Sequence, residues 1–340
     1  MRELRDEPLA RHTTLRVGGP ARRFVIAESA ADIVTVVRDC DARGEQLFIL
    51  GGGSNVVMAD SGFDGTVLHI ASRGIEVETS ACAGATVTVQ AGESLDDLVA
   101  LAVEREWSGI EALAGIPGTV GATPIQNVGA YGQDVAQTIA RVRTYDRLTR
   151  QTTTFFAATA DFGYRTSVFK EHAPRLVILD VQFQFRLGPQ SMPVRFPELA
   201  AAVGVEPGAR STTASVREAV LRLRREKGMV LDATDRDTWS AGSFFLNPMV
   251  EPRMVPAGAP HWPQPDGSVK VAAGWLVEHA GVERGFVRGG AGTSTKHALA
   301  ITNRGGATAA DVKDLATLIR ARVRVAFGID LEPEPTFVNR

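Results

Sequence analysis

Cysteine is nearly absent: Cys40 and Cys82 are the only two in 340 residues, with no CxxC or Cys/His spacing around them. A disulfide framework and a structural zinc site are thereby excluded, and both thiols are expected to be core or inert. No metal site is expected anywhere in the chain. Long apolar runs are lacking too; none approaches the roughly 18 residues a membrane-spanning helix needs. Excess charge is missing, since 37 Lys and Arg against 39 Asp and Glu leave a net charge of −2. General attraction to nucleic acid or anionic lipid is excluded, so any anionic ligand must be met locally. The start, "MRELRDEPLARHTTLRVGGPARRF", has no apolar core of a secretion signal, and a cytoplasmic location is expected. What remains is an ordinary globular balance, 44% hydrophobic and 22% charged, in a chain long enough for two or three domains.

Periodicity supplies the elements. "SAADIVTVVRDCDARG" reads as an amphipathic helix capped by Ser29, with Ile33, Val36, Val37 and Cys40 on one face and Gly44 at its end. "SLDDLVALAVEREW" repeats the pattern behind Ser94. "SVREAVLRLRREKG" offers Ser215 and Glu218 as a capping box, and Val312, Leu315, Ala316, Ile319 and Val323 mark a long last helix ending at Gly328. Strands are expected at 47–50, 66–71, 85–92, 139–146 and 176–187. In the last of these Val181, Phe183, Phe185 and Leu187 alternate with polar residues. Without a steady β-α-β rhythm the class is α+β. The Pro/Gly-rich stretches 186–199 and 251–268 read as long loops, and the first places a boundary near residue 188, giving domains 1–188 and 189–340. There is no internal repeat.

Two glycine-rich loops carry the chemistry of the first half. "LFILGGGSNVV" runs from a strand into three glycines, but it lacks the GK[ST] ending of a P-loop and the last glycine of GxGxxG. "LAGIPGTVGATPIQNVGAYG", residues 113–132, has too little side chain for a core. Together they suit the backbone of a dinucleotide-like ligand. "DFGYRTSVFK" presents Arg165, whose planar fork suits a carboxylate. "LRLRREKG" is a basic helix face, ordinarily solvated, that ends at Lys227. "LEPEPTFVNR" holds Glu334 between two prolines on a stiff strut, which is useful only if the tail docks. "SAGSFFLNP" places Ser243 after a glycine and before two phenylalanines; taken alone, that serine reads as bonding its own backbone.

In order along the chain, "TTLRVGGPA", "GGGSNVV", "GIPGTVGATPIQNVGAYG", "GYRTSVFK", "AGSFFLNP", "DGSVKVAAGWLVE" and "LEPEP" resemble the UDP-N-acetylenolpyruvoylglucosamine reductase (MurB) family, in its longer subtype. The resemblance spans about residues 13 to 335. It implies a vanillyl-alcohol-oxidase-like (PCMH-type) FAD-binding domain, about 17–188, followed by a C-terminal α+β substrate-binding domain. The implied reaction belongs to peptidoglycan precursor synthesis: NADPH reduces FAD, which then reduces the enolpyruvyl group on UDP-N-acetylglucosamine to give UDP-N-acetylmuramate. NADPH and the sugar nucleotide would take turns at one site, so no Rossmann fingerprint is required. No nucleic acid, membrane or obligatory protein partner is implied.

Carried over by motif, Ser243 is the proton donor, and Arg165 and Glu334 stabilise charge at the substrate carboxylate. Gly51, Gly52, Gly53, Ser54, Asn55, Gly118, Thr119, Gly121 and Asn127 hold FAD. Tyr131, Tyr164, Lys227, Asn247, Trp262, Arg284 and His297 serve the substrate. Phe244 and Phe245 are expected to keep the Ser243 surroundings dry. Three positions depart from the family pattern: Phe196 stands where a substrate-covering tyrosine is usual, Trp262 where many relatives have tyrosine, and Pro335 makes "PEP" of the usual "PEV". Two rivals remain, a flavin oxidase of the same fold and a flavin- or nucleotide-binding module without turnover.

Overall fold

The computed structural model describes every residue except Ala81, Ala83 and Arg340. Its contacts divide the chain into two units, one of residues 1–7, 21–52 and 64–225, the other of 8–20, 53–63 and 226–340. This differs from a single boundary near 188. Residues 189–225 join the first unit because Met192 N–H donates to Glu111 and Arg217 reaches Asp96. Residues 8–20 join the second because Leu15 and Val17 lie in its apolar core and Asn303 Nδ2 donates to the Leu15 and Arg16 carbonyls. Such long-range pairings leave no trace in local composition.

The first unit is built on a six-stranded sheet. Gln151–Phe156, Ile139–Asp146, Leu176–Leu187, Gly84–Gln90 and Ile75–Ser80 lie side by side, all antiparallel, and Trp107–Ser108 pairs with the far end of the long central strand. The first half of that central strand, 176–181, is buried throughout. Val181, Phe183 and Phe185 then alternate as expected, but the pattern stops at Leu187, which is exposed. A four-stranded sheet, in the order Arg2–Pro8, Pro20–Ala27, Phe63–Ile70 and Leu47–Leu50, contains the strand that feeds the first glycine loop. Helix Ala30–Arg43 begins where Ser29 accepts the Asp32 N–H and ends at left-handed Gly44; its Arg38 donates to the buried Tyr145 hydroxyl. The helix expected from Ser215 spans Thr213–Glu226 instead. Thr212 accepts the Ser215 N–H and takes the capping role, so the helix starts earlier. Cys40 is buried, whereas Cys82 is exposed, so only the former belongs to a core.

The second unit packs helix Ala309–Phe327 against small sheets. The five apolar residues expected to mark that helix are all buried, and Thr308 and Asp311 form its capping box. Beside it lie the strand sets 249–250, 269–271, 261–263 and 287–288, 291–293, 301–303, with helix Ala273–His279 between them in the chain. Phe244 and Phe245 are fully buried members of this core and meet edge to face at 5.4 Å. Among the described residues no helix is long and apolar enough to cross a membrane, and no group of three His, Cys, Asp or Glu is arranged to hold a metal ion.

In the first unit, Arg175 grips Asp146 with two hydrogen bonds, of 2.8 and 2.6 Å, and the Leu148 N–H adds a third at 2.9 Å. The guanidinium beside it, helped by backbone donors, holds this carboxyl well below the usual carboxylate range. Because the folded state ionises Asp146 more readily than the unfolded chain does, the resulting stability is complete above the unfolded value. It is lost as the pH falls through the folded one. Thermal melts of wild type and Asp146→Asn across a pH series should therefore differ by a constant gap above about pH 5 that narrows below about pH 4. A gap that widened on acidification would contradict the assignment.

Candidate functional site

In the first unit the two glycine-rich loops touch. A Cβ on Gly52 would stand 2.7 Å from the Gly118 Cα, and one on Gly51 would meet the Thr119 hydroxyl at 2.7 Å. Backbone therefore lies directly on backbone, and only glycine at 52 permits it. Gly121 is equally tight against Ala91. The surfaces that meet here are main chain and the Thr119 hydroxyl, the kind of lining that suits a pyrophosphate. Asn127 has protein partners at both ends of its amide. Its Oδ1 accepts the Ala136 N–H at 3.1 Å and its Nδ2 donates to the Gly163 carbonyl at 3.2 Å, so both ends of the amide fasten the loop.

Strain concentrates in the same unit. Asn127, Tyr131 and Arg165 hold φ of 44°, 50° and 57°, left-handed values that non-glycine residues adopt at a cost of about 1–3 kcal/mol each. Arg165 sits in a turn closed by the Gly163 N–H on the Thr166 carbonyl, with its guanidinium on the Gly129 carbonyl at 3.3 Å and Lys170 Nζ on its own carbonyl at 2.9 Å. Tyr164 beside it is exposed. Tyr131 meets Phe196 edge to face at 5.5 Å.

Two arginines escaped the sequence reading. The basic face of helix Thr213–Glu226 is not simply solvated: Arg217 reaches Asp96 and Arg224 reaches the Gly115 carbonyl, each at 3.4 Å. Burial pushes the Arg224 guanidinium down to about 10, while Tyr131 and Asp96 pull it back up, so it stays charged at neutral pH. The signal was present. Arg217 and Arg224 are seven residues apart, hence on one helical face, and Val220 and Leu221 between them are buried.

The second unit brings Ser243 and Glu334 together. Ser240 bridges to Thr302, the Phe244 N–H donates to the Leu299 carbonyl, and Gly242 between them turns with φ 74°. A side chain at Gly242 would meet nothing within 4 Å, so open space adjoins Ser243 on that side. The tail runs antiparallel beside this segment. Phe245 is bridged to Pro333, the Glu334 N–H donates to the Phe244 carbonyl at 2.9 Å, and the Leu246 N–H donates to the Glu332 carbonyl at 3.0 Å. Beyond Pro335 the chain continues as strand Thr336–Val338, parallel to Val56–Met58. The tail is thus ordered past Phe337, and Asn339 Nδ2 donates to the Gly62 carbonyl. Phe244 and Phe245 anchor the Ser243 segment in the core instead of lining a cleft.

Of the remaining residues in this unit, Asn247 presents its Oδ1 to the Ala273 N–H at 2.9 Å, which fixes the amide and leaves Nδ2 as its donor. Trp262 is exposed, with Lys270 Nζ 5.9 Å from its ring centre. Arg284 pairs with Glu278 at 2.9 Å on the surface. His297 is half-buried, its carbonyl accepting the Ala300 N–H. Lys227 is half-buried just past the helix end, and the division between units falls inside the first glycine loop, leaving Gly51 and Gly52 in one and Gly53, Ser54 and Asn55 in the other.

Comparisons with known proteins match both halves. A family model described as an FAD binding domain matches residues 21–152, and one for the C-terminal domain of UDP-N-acetylenolpyruvoylglucosamine reductase matches residues 233–338. The UDP-N-acetylenolpyruvoylglucosamine reductase of Cutibacterium acnes is 55% identical over 337 residues, covering 98% of this chain and 90% of that protein. The enzyme of the same name from Salinispora arenicola is 51% identical, covering 97% and 94%. Among solved structures, UDP-N-acetylenolpyruvylglucosamine reductase (MurB) from Thermus caldophilus shares the fold with a TM-score of 0.67 at 25% identity, covering 99% of this chain and 98% of that one.

The loop contact makes a direct prediction. Gly52→Ala should lower the flavin retained per protein several-fold, because its methyl group meets Gly118 backbone that cannot step aside. Gly204→Ala, at a helix end with open space around it, should cost only about 1 kcal/mol of backbone strain and leave flavin content unchanged. Absorbance ratios of the purified proteins decide it, and equal flavin in both variants would count against the cradle.

Proposed function

The chain belongs to the UDP-N-acetylenolpyruvoylglucosamine reductase family and is an FAD-dependent oxidoreductase; from that premise we propose that it reduces the enolpyruvyl sugar nucleotide with electrons from NADPH and that Ser243 supplies the proton. The observation that carries this reading is the pairing of the Ser243 segment with the tail, through the Glu334 N–H on the Phe244 carbonyl. Held at Gly51, Gly52, Gly118 and Thr119, FAD would supply the hydride, drawn from NADPH, that adds to the terminal carbon of the alkene. Everything else falls to side chains. The electron pair of the alkene moves onto the α-carbon and into the carboxylate, where Arg165 and Glu334 stabilise it; one prearranged donor of this kind contributes about 2.7–4 kcal/mol. Glu334 serves that role protonated or through its hydrogen-bond partners, since a bare carboxylate facing another repels it. Ser243 then gives its hydroxyl proton to the α-carbon, closing the balance of one hydride and one proton per double bond. A serine hydroxyl is a weak acid in water and donates here only because the carbon beside it is strongly basic and its segment is fixed to a dry core.

Gly51 and Gly52, with Gly118 and Thr119, form the cradle for the cofactor pyrophosphate. Asn247 Nδ2, Lys227 and Trp262 are assigned to the sugar nucleotide by motif position, with Asn247 acting as a donor to a phosphate or sugar oxygen. Tyr131, Tyr164, Arg284 and His297 complete the substrate assignment. A cytoplasmic setting fits a reaction that draws on NADPH.

Anaerobic stopped flow tests the scheme. NADPH should bleach the flavin, and colour should return only on adding the enolpyruvyl substrate, which separates a reductase from an oxidase. In Ser243→Ala, bleaching should proceed at a near-normal rate while recolouring slows by roughly 10²–10⁴-fold. Equal slowing of both steps would remove Ser243 from the proton-donor role.

A further inference from the structure

Asn55 closes the GGGSN loop, and it touches the tail twice. Its Nδ2 donates to the Glu334 carbonyl at 3.4 Å, and its own carbonyl accepts the Thr336 N–H at 3.0 Å. On the other side, the Glu334 N–H is held by the Phe244 carbonyl at 2.9 Å. The two peptide planes flanking the Glu334 Cα are therefore pinned by different partners, the preceding one by the Ser243 segment and the following one by Asn55. With both planes fixed, the direction in which the Glu334 side chain leaves the backbone is fixed too.

We propose that Asn55 is a positioning residue for Glu334, joining the cofactor loop to the tail, and not a ligand of the cofactor itself. The residue type fits the task. A short amide provides the N–H donor that a carbonyl needs, whereas Asp has the same shape but no donor. Val56 then begins the strand that pairs with Thr336, so the loop delivers the amide and the strand fixes its register. The inference rests on the reading of Glu334 as a group at the substrate carboxylate.

The test compares Asn55→Ala, Asn55→Asp, Glu334→Gln and the double variant Asn55→Ala/Glu334→Gln in the full-length flavoprotein. Reduction by NADPH and reoxidation by the enolpyruvyl substrate are timed separately, and hydrogen exchange is followed in the tail peptide. Both Asn55 variants should keep their flavin and be reduced by NADPH within about twofold of wild type. Reoxidation should slow on the order of 10–10²-fold, as for a reacting group displaced by about an ångström. The double variant should be no slower than its slower parent, because both changes act on one group. Exchange in residues 331–339 should quicken. Should Asn55→Ala not fold, Asn55→Asp carries the same comparison without a cavity.

Loss of flavin from both Asn55 variants, or equal slowing of the two steps, would assign Asn55 to the cofactor and overturn the proposal. Effects that multiply in the double variant would overturn it while leaving Glu334 in its role. Normal reoxidation in Glu334→Gln would remove the reading on which the proposal stands.

Discussion

The docking of the C-terminal tail is the constraint on which the second unit depends. Ordering an extended terminal segment costs about 1–2 kcal/mol per residue in backbone entropy, and termini without partners fray. This one is held on two edges, by the segment 244–246 on one side and by residues 55–59 on the other. Between Pro333 and Thr336 only two residues have a backbone N–H, Glu334 and Thr336, and each has an acceptor, the Phe244 carbonyl for the first and the Asn55 carbonyl for the second. The prolines have no donor to satisfy. The tail can therefore change from an antiparallel partner to a parallel one within three residues without leaving a main-chain donor unpaired.

That accounting bears on the departure at Pro335. From sequence, a proline after Glu334 casts doubt on the geometry of the carboxylate. In the structure it stands at the changeover between partners, where an N–H would need a third acceptor. Stiffness on both sides of Glu334 is then compatible with precise placement, provided the neighbouring peptide planes are bonded, and they are. Arg320 adds a further tie by donating to the Leu331 carbonyl at 2.8 Å, which links the tail to the long helix.

Local features were legible where one stretch of chain decides them. Strands 139–146 and 176–187 have the expected bounds, and the helices behind Ser29 and Ser94 begin where those hydroxyls accept an amide. The cap at Ser215 was misplaced because Thr212 and Ser215 both lie ahead of the same apolar pattern, and nothing local decides between them. The apolar alternation failed at Leu187, an exposed residue at the end of the strand that pairs with Trp107. In the second unit, residues 8–20 and 53–63 pair with partners more than 200 positions away, which no local pattern can show.

The site divides along the same line. Motifs name residue types, and they set Ser243 and Glu334 in one scheme, yet no spacing of 91 residues could show that the Glu334 N–H lies on the carbonyl of the residue next to Ser243. Asn127 and Asn55, which read as cofactor contacts because amides in glycine loops suit a nucleotide, also bond protein backbone. A glycine-rich loop has almost no side chains with which to brace itself. Its few amides are the natural braces, so the residues that look most like ligand contacts can be those that hold the ligand-binding backbone in shape. The loop that turns at Gly53 ends two residues later on the carbonyl of Glu334, so this end of the loop and the tail share a physical link.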